Sequence, residues 1–151
     1  DWASTFDVIE EVLNKIEDSY RFICCLYPTS VFVKSDHLLT ALNMLKTDEN
    51  LSTVSSVVKY SHPVERKLKI ENDILSIVNK EKFDYRSQDL ENYYHDAGQF
   101  YFSRTSHIMK ERGIILEKTK PIILGNHESQ DIDNKEDWLI AELKYSNLVN
   151  E

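Results

Sequence analysis

The sequence is poor in glycine and in basic residues, and each shortage excludes a class of protein. It holds three glycines in 151 residues, and neither familiar glycine-rich phosphate loop is present. Lys and Arg number 18 against 26 Asp and Glu, a formal net charge of −8. This charge argues against nonspecific binding to nucleic acid and against adhesion to an anionic membrane. We therefore expect neither nucleic acid nor membrane as a partner.

Long apolar runs and cysteine pairs are also missing. No run reaches the roughly 18 apolar residues of a membrane span, and no signal peptide is visible, so the sequence predicts a cytoplasmic protein. The two cysteines, Cys24 and Cys25, are adjacent. Neighbouring side chains on a strand point to opposite faces, which makes them poor disulfide partners. With no second pair to complete a zinc site, we predict both to be small core residues.

What the chain does contain is enough apolar sequence for one packed domain, at 41% hydrophobic residues. Residue periodicity predicts the order helix, strand, helix, strand, irregular arm, strand, strand, helix, which is typical of an α/β domain. The run 21–27 is apolar on both sides and predicts a central strand covered by helices on both faces. The predicted helices are 5–17, one opening at Ser35 or Asp36, one near 106–112, and 135–148; the predicted strands are 21–27, 52–60, short strands within 64–94, 99–103 and 121–124.

Polar residues follow the first predicted strand. Open α/β sheets bind ligands just beyond strand ends, so Tyr27, Thr29 and Ser30 are candidate site residues; the alternative is an ordinary polar turn. Gly98, directly before a predicted strand, would permit a tight turn. Arg86 is suited to bidentate recognition of a carboxylate or phosphate, although a solvated arm or a dimer contact would also explain it.

Two carboxylates, Asp131 and Asp133, flank the apolar Ile132. In an extended segment, residues two apart face the same way, so both carboxylates could point into one cleft and Ile132 into the core. Such a pair suits a hard cation such as Mg²⁺, which keeps room for substrate phosphates. The alternative is a capping box in which Asp133 is the N-cap and Glu136 the third helical residue.

Two longer stretches make the chain recognisable: RSQDLENYYHDAGQFY at 86–101 and QDIDNKEDW at 130–138. Together with LYPTS at 26–30 and DWASTFDV at 1–8, they resemble the acylneuraminate cytidylyltransferases, and most closely the branch that activates pseudaminic acid. Tyr27 stands where the sialic-acid branch has Gln, and Asp96 where it has Asn. Both differences favour pseudaminic acid or a related nonulosonic acid as substrate.

The resemblance implies a three-layer, Rossmann-like α/β fold of the nucleotide-diphospho-sugar transferase type, with a mixed sheet. It implies that CTP and a nonulosonic acid give the CMP-sugar and pyrophosphate. Asp131 and Asp133 would hold the cofactor Mg²⁺, and Ala3 and Ser4 would approach the cytidine. The sugar pocket would be formed by residues carried over from the family motifs: Tyr27, Thr29, Ser30, Arg86, Asp96, Gln99 and Tyr101.

One family motif, a loop like IPARxGSK that holds the CTP phosphates, is absent from the sequence. We therefore expect residues 1–151 to form a single cytidylyltransferase-like domain that is incomplete at its N-terminal side. The family's small dimerisation arm corresponds to about residues 65–90, which implies a homodimer in which Arg86 could serve the partner's site. Two alternatives stay open: a catalytically incomplete, dimerising α/β fragment, and a different Mg²⁺-dependent phosphotransfer enzyme.

Overall fold

A computed structural model describes residues 2–149 of the chain, and it is a mixed α/β structure, as predicted. None of its helices is long and apolar enough to cross a membrane within that range. Short 3₁₀ turns lie at Val64–Arg66 and Ser87–Asp89. The elements are α1 (Thr5–Lys15), β1 (Phe22–Leu26), α2 (Ser35–Thr47), β2 (Thr53–Lys59), β3 (Leu68–Glu71), β4 (Ile74–Ile77), β5 (Tyr94–Arg104), α3 (Thr105–Glu111), β6 (Thr119–Leu124) and α4 (Lys135–Val149).

The main sheet has four strands in the order β1-β5-β2-β6. Strand β5 runs antiparallel to both β1 and β2, whereas β2 and β6 are parallel. The prediction that the first strand is central is therefore wrong, because among the described residues β1 pairs only with β5. The two central strands are β5 and β2. Their position in the sheet depends on pairing between residues far apart in sequence.

Helices cover both faces of this sheet, giving three layers. Phe22 of β1 packs with the cluster of Leu45, Val54 and Phe100 beneath α2. The next residue, Ile23, packs on the opposite face with the cluster of buried residues from α1 and α3. This alternation buries Cys25 partly on the α1 side but leaves Cys24 exposed. The prediction of two core cysteines is thus wrong for Cys24, because helices do not cover all side chains of an edge strand.

Strand β5 contains a bulge, which we define as residues 96–100. The register with β2 passes from Ser55↔Tyr101 to Val57↔Asp96, so Ser56 alone faces four residues of β5. Gly98 lies inside it with φ +61°, a left-handed conformation that glycine adopts without steric cost. The predicted turn at Gly98 is therefore a bulge within a longer strand that already begins at Tyr94.

Strands β3 and β4 form a separate two-stranded antiparallel hairpin. Its turn residues Asn72 and Asp73 both have positive φ, 49° and 62°, as the common two-residue hairpin turns require. Apolar side chains remain exposed on this hairpin, including Ile70 at 71% and Ile74 at 70%. The hairpin lies within the predicted dimerisation arm, whose role in assembly stays a prediction.

Candidate functional site

Three serine hydroxyls from different segments meet the backbone of the bulge. Ser30, after β1, donates to the Gly98 carbonyl oxygen at 3.3 Å. Ser129, after β6, donates to the Ala97 carbonyl oxygen at 3.3 Å. Ser56 of β2 accepts from the backbone N–H groups of residues 99 and 100 at 3.3 and 3.2 Å. The bulge therefore brings together the segments that carry the predicted motifs at 27–30, 96–101 and 129–131.

Two tyrosines and one carboxylate form a connected group beside the bulge. The rings of Tyr27 and Tyr101 lie with their centroids 5.5 Å apart. The Tyr101 hydroxyl donates to one oxygen of Asp96, and the other oxygen accepts from the Gly98 N–H at 2.9 Å. Burial, followed by hydrogen bonding to Asp96 and Tyr27, raises the pKa of Tyr101. Its hydroxyl consequently stays protonated and acts as a hydrogen-bond donor at neutral pH.

Gln99 is buried more deeply than a residue lining an open pocket, at 2% exposed. Its amide nitrogen donates to the Ala97 carbonyl oxygen at 3.4 Å. Its amide oxygen is buried without a hydrogen-bond partner in the described part of the chain. Buried acceptors are normally satisfied, so this oxygen is an exception within the bulge.

The carboxylate of Asp131 is exposed at a cleft of about 490 Å³, which Asp96 also lines. Asp133 is exposed too, but it does not line that cleft. The expectation that both carboxylates point into one cleft is therefore wrong for Asp133, which directly precedes the helix cap at Asn134. Ile132 is half-buried and lines a separate, largely apolar cleft with Trp138 and Tyr145. The remaining residues around the first cleft are Val58, Lys59, Tyr60, Ser61, His95, Ala97, Asn126, Ser129, Gln130 and Lys144.

The predicted capping box at the start of α4 is wrong by one residue. Asn134, not Asp133, caps the helix: its side-chain oxygen accepts from the N–H groups of Glu136 at 2.8 Å and Asp137 at 3.1 Å. Asp137 in turn accepts from the backbone N–H of Asn134 at 3.1 Å and of Asp133 at 3.0 Å. Asn is as good an N-cap as Asp, so the choice between them was not fixed by residue type. The carboxylate of Asp133 is thereby left out of the cap.

The donor chemistry of Asp131 and Asp133 fits Mg²⁺. Neither carboxylate takes part in a hydrogen bond or ion pair with another residue between positions 2 and 149. Within the same range no cluster of three His, Cys, Asp or Glu side chains stands at metal-binding distance. Mg²⁺ is usually held by only one or two carboxylates together with waters and substrate phosphates, so a third protein ligand is not required.

Two lysines hold the segment before Asp131, and sequence reasoning missed both. Lys144 of α4 donates to the Ser129 carbonyl oxygen at 2.7 Å and to the Gln130 side-chain oxygen at 2.9 Å, and burial lowers the pKa of Lys144. Lys34 pairs with Glu128, and this bond, followed by the Gly125 N–H, lowers the pKa of Glu128. Neither lysine has a distinctive neighbour pattern that would have singled it out.

Other predicted site residues lie apart from this group. Arg86 is exposed just before the second 3₁₀ turn and does not line the cleft of Asp131. Ala3 and Ser4 are exposed before α1. The hydroxyl of Ser4 accepts from the Asp7 N–H at 3.2 Å and so caps the helix. Thr29 is half-buried in the loop after β1.

Comparison with solved structures defines the fold class. The chain superposes over its full length on 70% of a structure described as CMP:2-keto-3-deoxy-manno-octonic acid synthetase complexed with CTP, with a TM-score of 0.61 and 12% sequence identity. The chain therefore shares the fold of this synthetase, in agreement with the predicted fold class.

Curated relatives define the family more closely, although no protein-family model matches the chain. A pseudaminic acid cytidylyltransferase of Campylobacter jejuni is 28% identical over 149 residues, covering 96% of this chain and 64% of the relative. A Helicobacter pylori protein, pseudaminic acid cytidylyltransferase and UDP-2,4-diacetamido-2,4,6-trideoxy-beta-L-altropyranose hydrolase, is 32% identical over 87% of this chain and 26% of its own length. An Escherichia coli N-acylneuraminate cytidylyltransferase is 25% identical over 93% of this chain and 33% of its own length. These similarities agree with the family that the motifs resemble, the acylneuraminate cytidylyltransferases, and the chain spans less than two thirds of the length of these relatives.

Proposed function

We propose that the protein is a cytidylyltransferase that activates a nonulosonic acid, with pseudaminic acid as the preferred substrate. CTP and the sugar acid would give the CMP-sugar and pyrophosphate. Relatives named for pseudaminic acid support this choice of substrate. The observation that carries the proposal is the attachment of the segments at 27–30 and 129–131 to the bulge, which lies in the third motif, through Ser30 and Ser129.

The reaction requires positioning and charge stabilisation more than covalent chemistry by the protein. The anomeric hydroxyl of the sugar attacks the α-phosphorus of CTP in line with the departing pyrophosphate, and negative charge accumulates on the phosphate oxygens. Asp131 and Asp133 would hold Mg²⁺, which would supply positive charge to neutralise the charge developing on the phosphate. The exposed, unpaired state of both carboxylates supports this assignment.

The sugar acid would be bound by polar groups around the bulge. The single hydroxyl proton of Tyr101 is donated to Asp96, so its oxygen would act towards the sugar as an acceptor. Gln99 is buried, so we assign it to supporting the bulge from within. Both oxygens of Asp96 already accept hydrogen bonds within the protein. We therefore assign Asp96 to orienting Tyr101, with Tyr27, Thr29 and Ser30 beside the sugar.

The protein would act as a homodimer. The exposed apolar hairpin formed by β3 and β4 supports a contact with a second copy, since a two-stranded hairpin is only marginally stable by itself in water. Arg86 follows this hairpin and is exposed. In a dimer its guanidinium would reach the partner's cleft and bind the sugar carboxylate bidentately.

The test is removal of one carboxylate at a time, by Asp131→Asn and Asp133→Asn. Because each change replaces an anionic ligand of Mg²⁺ with a neutral amide of the same size, we expect kcat to fall by about 100-fold or more while the melting temperature stays the same. Formation of the CMP-sugar is measured chromatographically. Asp36→Asn, at an exposed position in the first turn of α2, is the matched control, and near-normal turnover in both site variants would refute the metal assignment.

A second candidate function is dimerisation without catalysis. It is favoured by the unpaired edge of β1 in the described structure together with the exposed apolar hairpin, since unpaired strand edges invite association. Calorimetric titration of CTP with Mg²⁺ into the 151-residue chain separates the two functions. Micromolar binding supports the cytidylyltransferase, and absence of binding in a folded, dimeric chain supports the non-catalytic role.

A further inference from the structure

We infer that Lys144 is a positioning residue that fixes the segment carrying Asp131 against the sheet, and thereby sets where that carboxylate stands in the cleft. The inference rests on the proposed function, because it concerns the carboxylate assigned to the metal. Lys144 itself is not assigned to bind the metal or the substrate.

The first step is the set of bonds made by the ammonium group. Lys144 donates to the backbone carbonyl of Ser129 at 2.7 Å and to the side-chain oxygen of Gln130 at 2.9 Å. The amide nitrogen of Gln130 then donates to the backbone carbonyl of Asp131 at 3.0 Å. One side chain of α4 thus restrains three consecutive residues, directly or through Gln130.

The second step is the contact on the opposite side of the same segment. Ser129 is only 8% exposed, and its hydroxyl donates to the Ala97 carbonyl oxygen at 3.3 Å. The segment is therefore held between α4 and the bulge, and Asp131 follows immediately. We call this pair of contacts, made by Lys144 and Ser129, the clamp.

The third step is what the clamp does for chemistry. The segment 129–132 has no regular secondary structure, so no helix or sheet ladder fixes its backbone. A ligand on a mobile segment must be ordered each time the metal binds, which weakens binding, whereas a supported ligand is already in place. The clamp supplies that support while leaving the Asp131 carboxylate free of partners in the described chain.

Lys144 also lines the cleft with Asp131 and Asp96, so a direct contact with an anionic substrate is the competing role. An ammonium group has three donors, and two of them are committed to Ser129 and Gln130. The positioning role predicts a defect in metal use that excess Mg²⁺ repairs. A substrate contact predicts a loss that excess Mg²⁺ does not repair.

The first arm of the test needs neither metal nor activity. Amide ¹⁵N relaxation is measured for the unaltered protein and for Lys144→Met. We expect order parameters at Gln130 and Asp131 to fall from about 0.85 to below about 0.6, with little change in α2. Lys46→Met, in the last turn of α2, is the control and should leave both residues rigid. Unchanged order parameters in a folded Lys144→Met protein would overturn the inference.

The second arm measures the Mg²⁺ concentration that gives half-maximal velocity. We expect it to rise about tenfold in Lys144→Met, with kcat at saturating Mg²⁺ within about twofold of the unaltered enzyme and substantial recovery in Lys144→Arg, which keeps the donors. An unchanged Mg²⁺ requirement, or a kcat loss that saturating Mg²⁺ does not restore, overturns the positioning role. If Lys144→Met does not fold, Ser129→Ala removes the other side of the clamp and must show the same pattern. If the unaltered protein forms no CMP-sugar, the proposed function fails, whereas the relaxation arm still decides whether the clamp exists.

Discussion

Arg104, the last residue of β5, provides the sharpest test of how the central strand is anchored. Its side chain is 6% exposed, and its guanidinium donates to three carbonyl oxygens around the end of α2: Leu45 at 2.6 Å, Asp48 at 3.2 Å and Leu51 at 3.3 Å. No carboxylate pairs with it among residues 2–149. The positive charge is therefore balanced by helix carbonyls, which carry the negative end of the helix dipole.

The change Arg104→Met keeps most of the side-chain length but removes every donor. The carbonyl of Asp48 still accepts from the Leu51 N–H at 3.2 Å, so the carbonyls of Leu45 and Leu51 carry most of the loss. An unsatisfied buried acceptor costs about 1–3 kcal/mol. Two unsatisfied acceptors would cost twice that amount, but the variant no longer has to bury a guanidinium, which offsets part of the cost. We therefore expect a loss of about 3 kcal/mol in the free energy of unfolding. At about 2–4 °C per kcal/mol for a chain of this length, the melting temperature should fall by about 6–12 °C.

The assay is urea unfolding followed by circular dichroism, with Arg21→Met as the matched control. Both guanidinium groups lie over the Phe22 ring, at 5.1 Å for Arg104 and 5.2 Å for Arg21. Arg21, however, is exposed and pairs with Glu49 at 3.2 Å at the surface, so its loss should cost less than about 1 kcal/mol. Equal effects of the two changes, or a loss below about 1 kcal/mol for Arg104→Met, would refute the argument from buried carbonyls.

Two further predictions concern the surface and the loop before the acidic pair. The bond from Lys34 lowers the pKa of Glu128 below its ordinary value of 4.5. The ionised carboxylate therefore stabilises the fold above pH 4.5, and this stabilisation is lost as the pH falls through the lowered pKa. Glu128→Gln should therefore cost up to about 1 kcal/mol at pH 7, and the difference should vanish in strong acid; a pH-independent difference in urea unfolding would contradict the assignment. For the hairpin, Ile70→Lys combined with Ile74→Lys should turn a homodimer into a monomer in sedimentation velocity, while Leu143→Lys, 69% exposed on α4, should not. A dimer that survives the hairpin changes would exclude the hairpin as the interface.

Much of the fold could be predicted from local pattern. The helices were predicted within a few residues of their observed bounds because apolar residues at three- and four-residue spacing mark one helix face. The Ser4 cap with Asp7 three residues on is likewise a local signal. Strand order cannot be predicted from local pattern, since it depends on pairing between residues far apart in sequence, from Lys59↔Tyr94 to Phe22↔Arg104. A continuous apolar run is therefore compatible with either a central or an edge position.

The candidate site likewise contains residues that local motifs predict and residues whose role only the folded structure shows. Motif resemblance selected the segments around Ser30, Asp96 and Asp131, and the structure brings these three segments together. It could not select the residues that tie them, because Ser56, Ser129 and Lys144 are ordinary residue types whose role arises only in three dimensions. Arg86 does not line the cleft of Asp131 in the single chain, and its role in a partner's site stays a prediction.

The bulge explains why residues so distant in sequence can form one site. A regular strand pairs all of its backbone N–H and C=O groups with its neighbours, and would offer none to a serine hydroxyl from another segment. In the bulge, four residues of β5 lie opposite Ser56, so the carbonyls of Ala97 and Gly98 are not paired in the sheet. Ser129 donates to the Ala97 carbonyl oxygen and Ser30 to the Gly98 carbonyl oxygen. A Cβ at position 98 would come no closer than 3.9 Å to Tyr27, so glycine is needed for its left-handed backbone and not for space. A single backbone conformation thus determines where the loop after β1 and the segment before Asp131 attach.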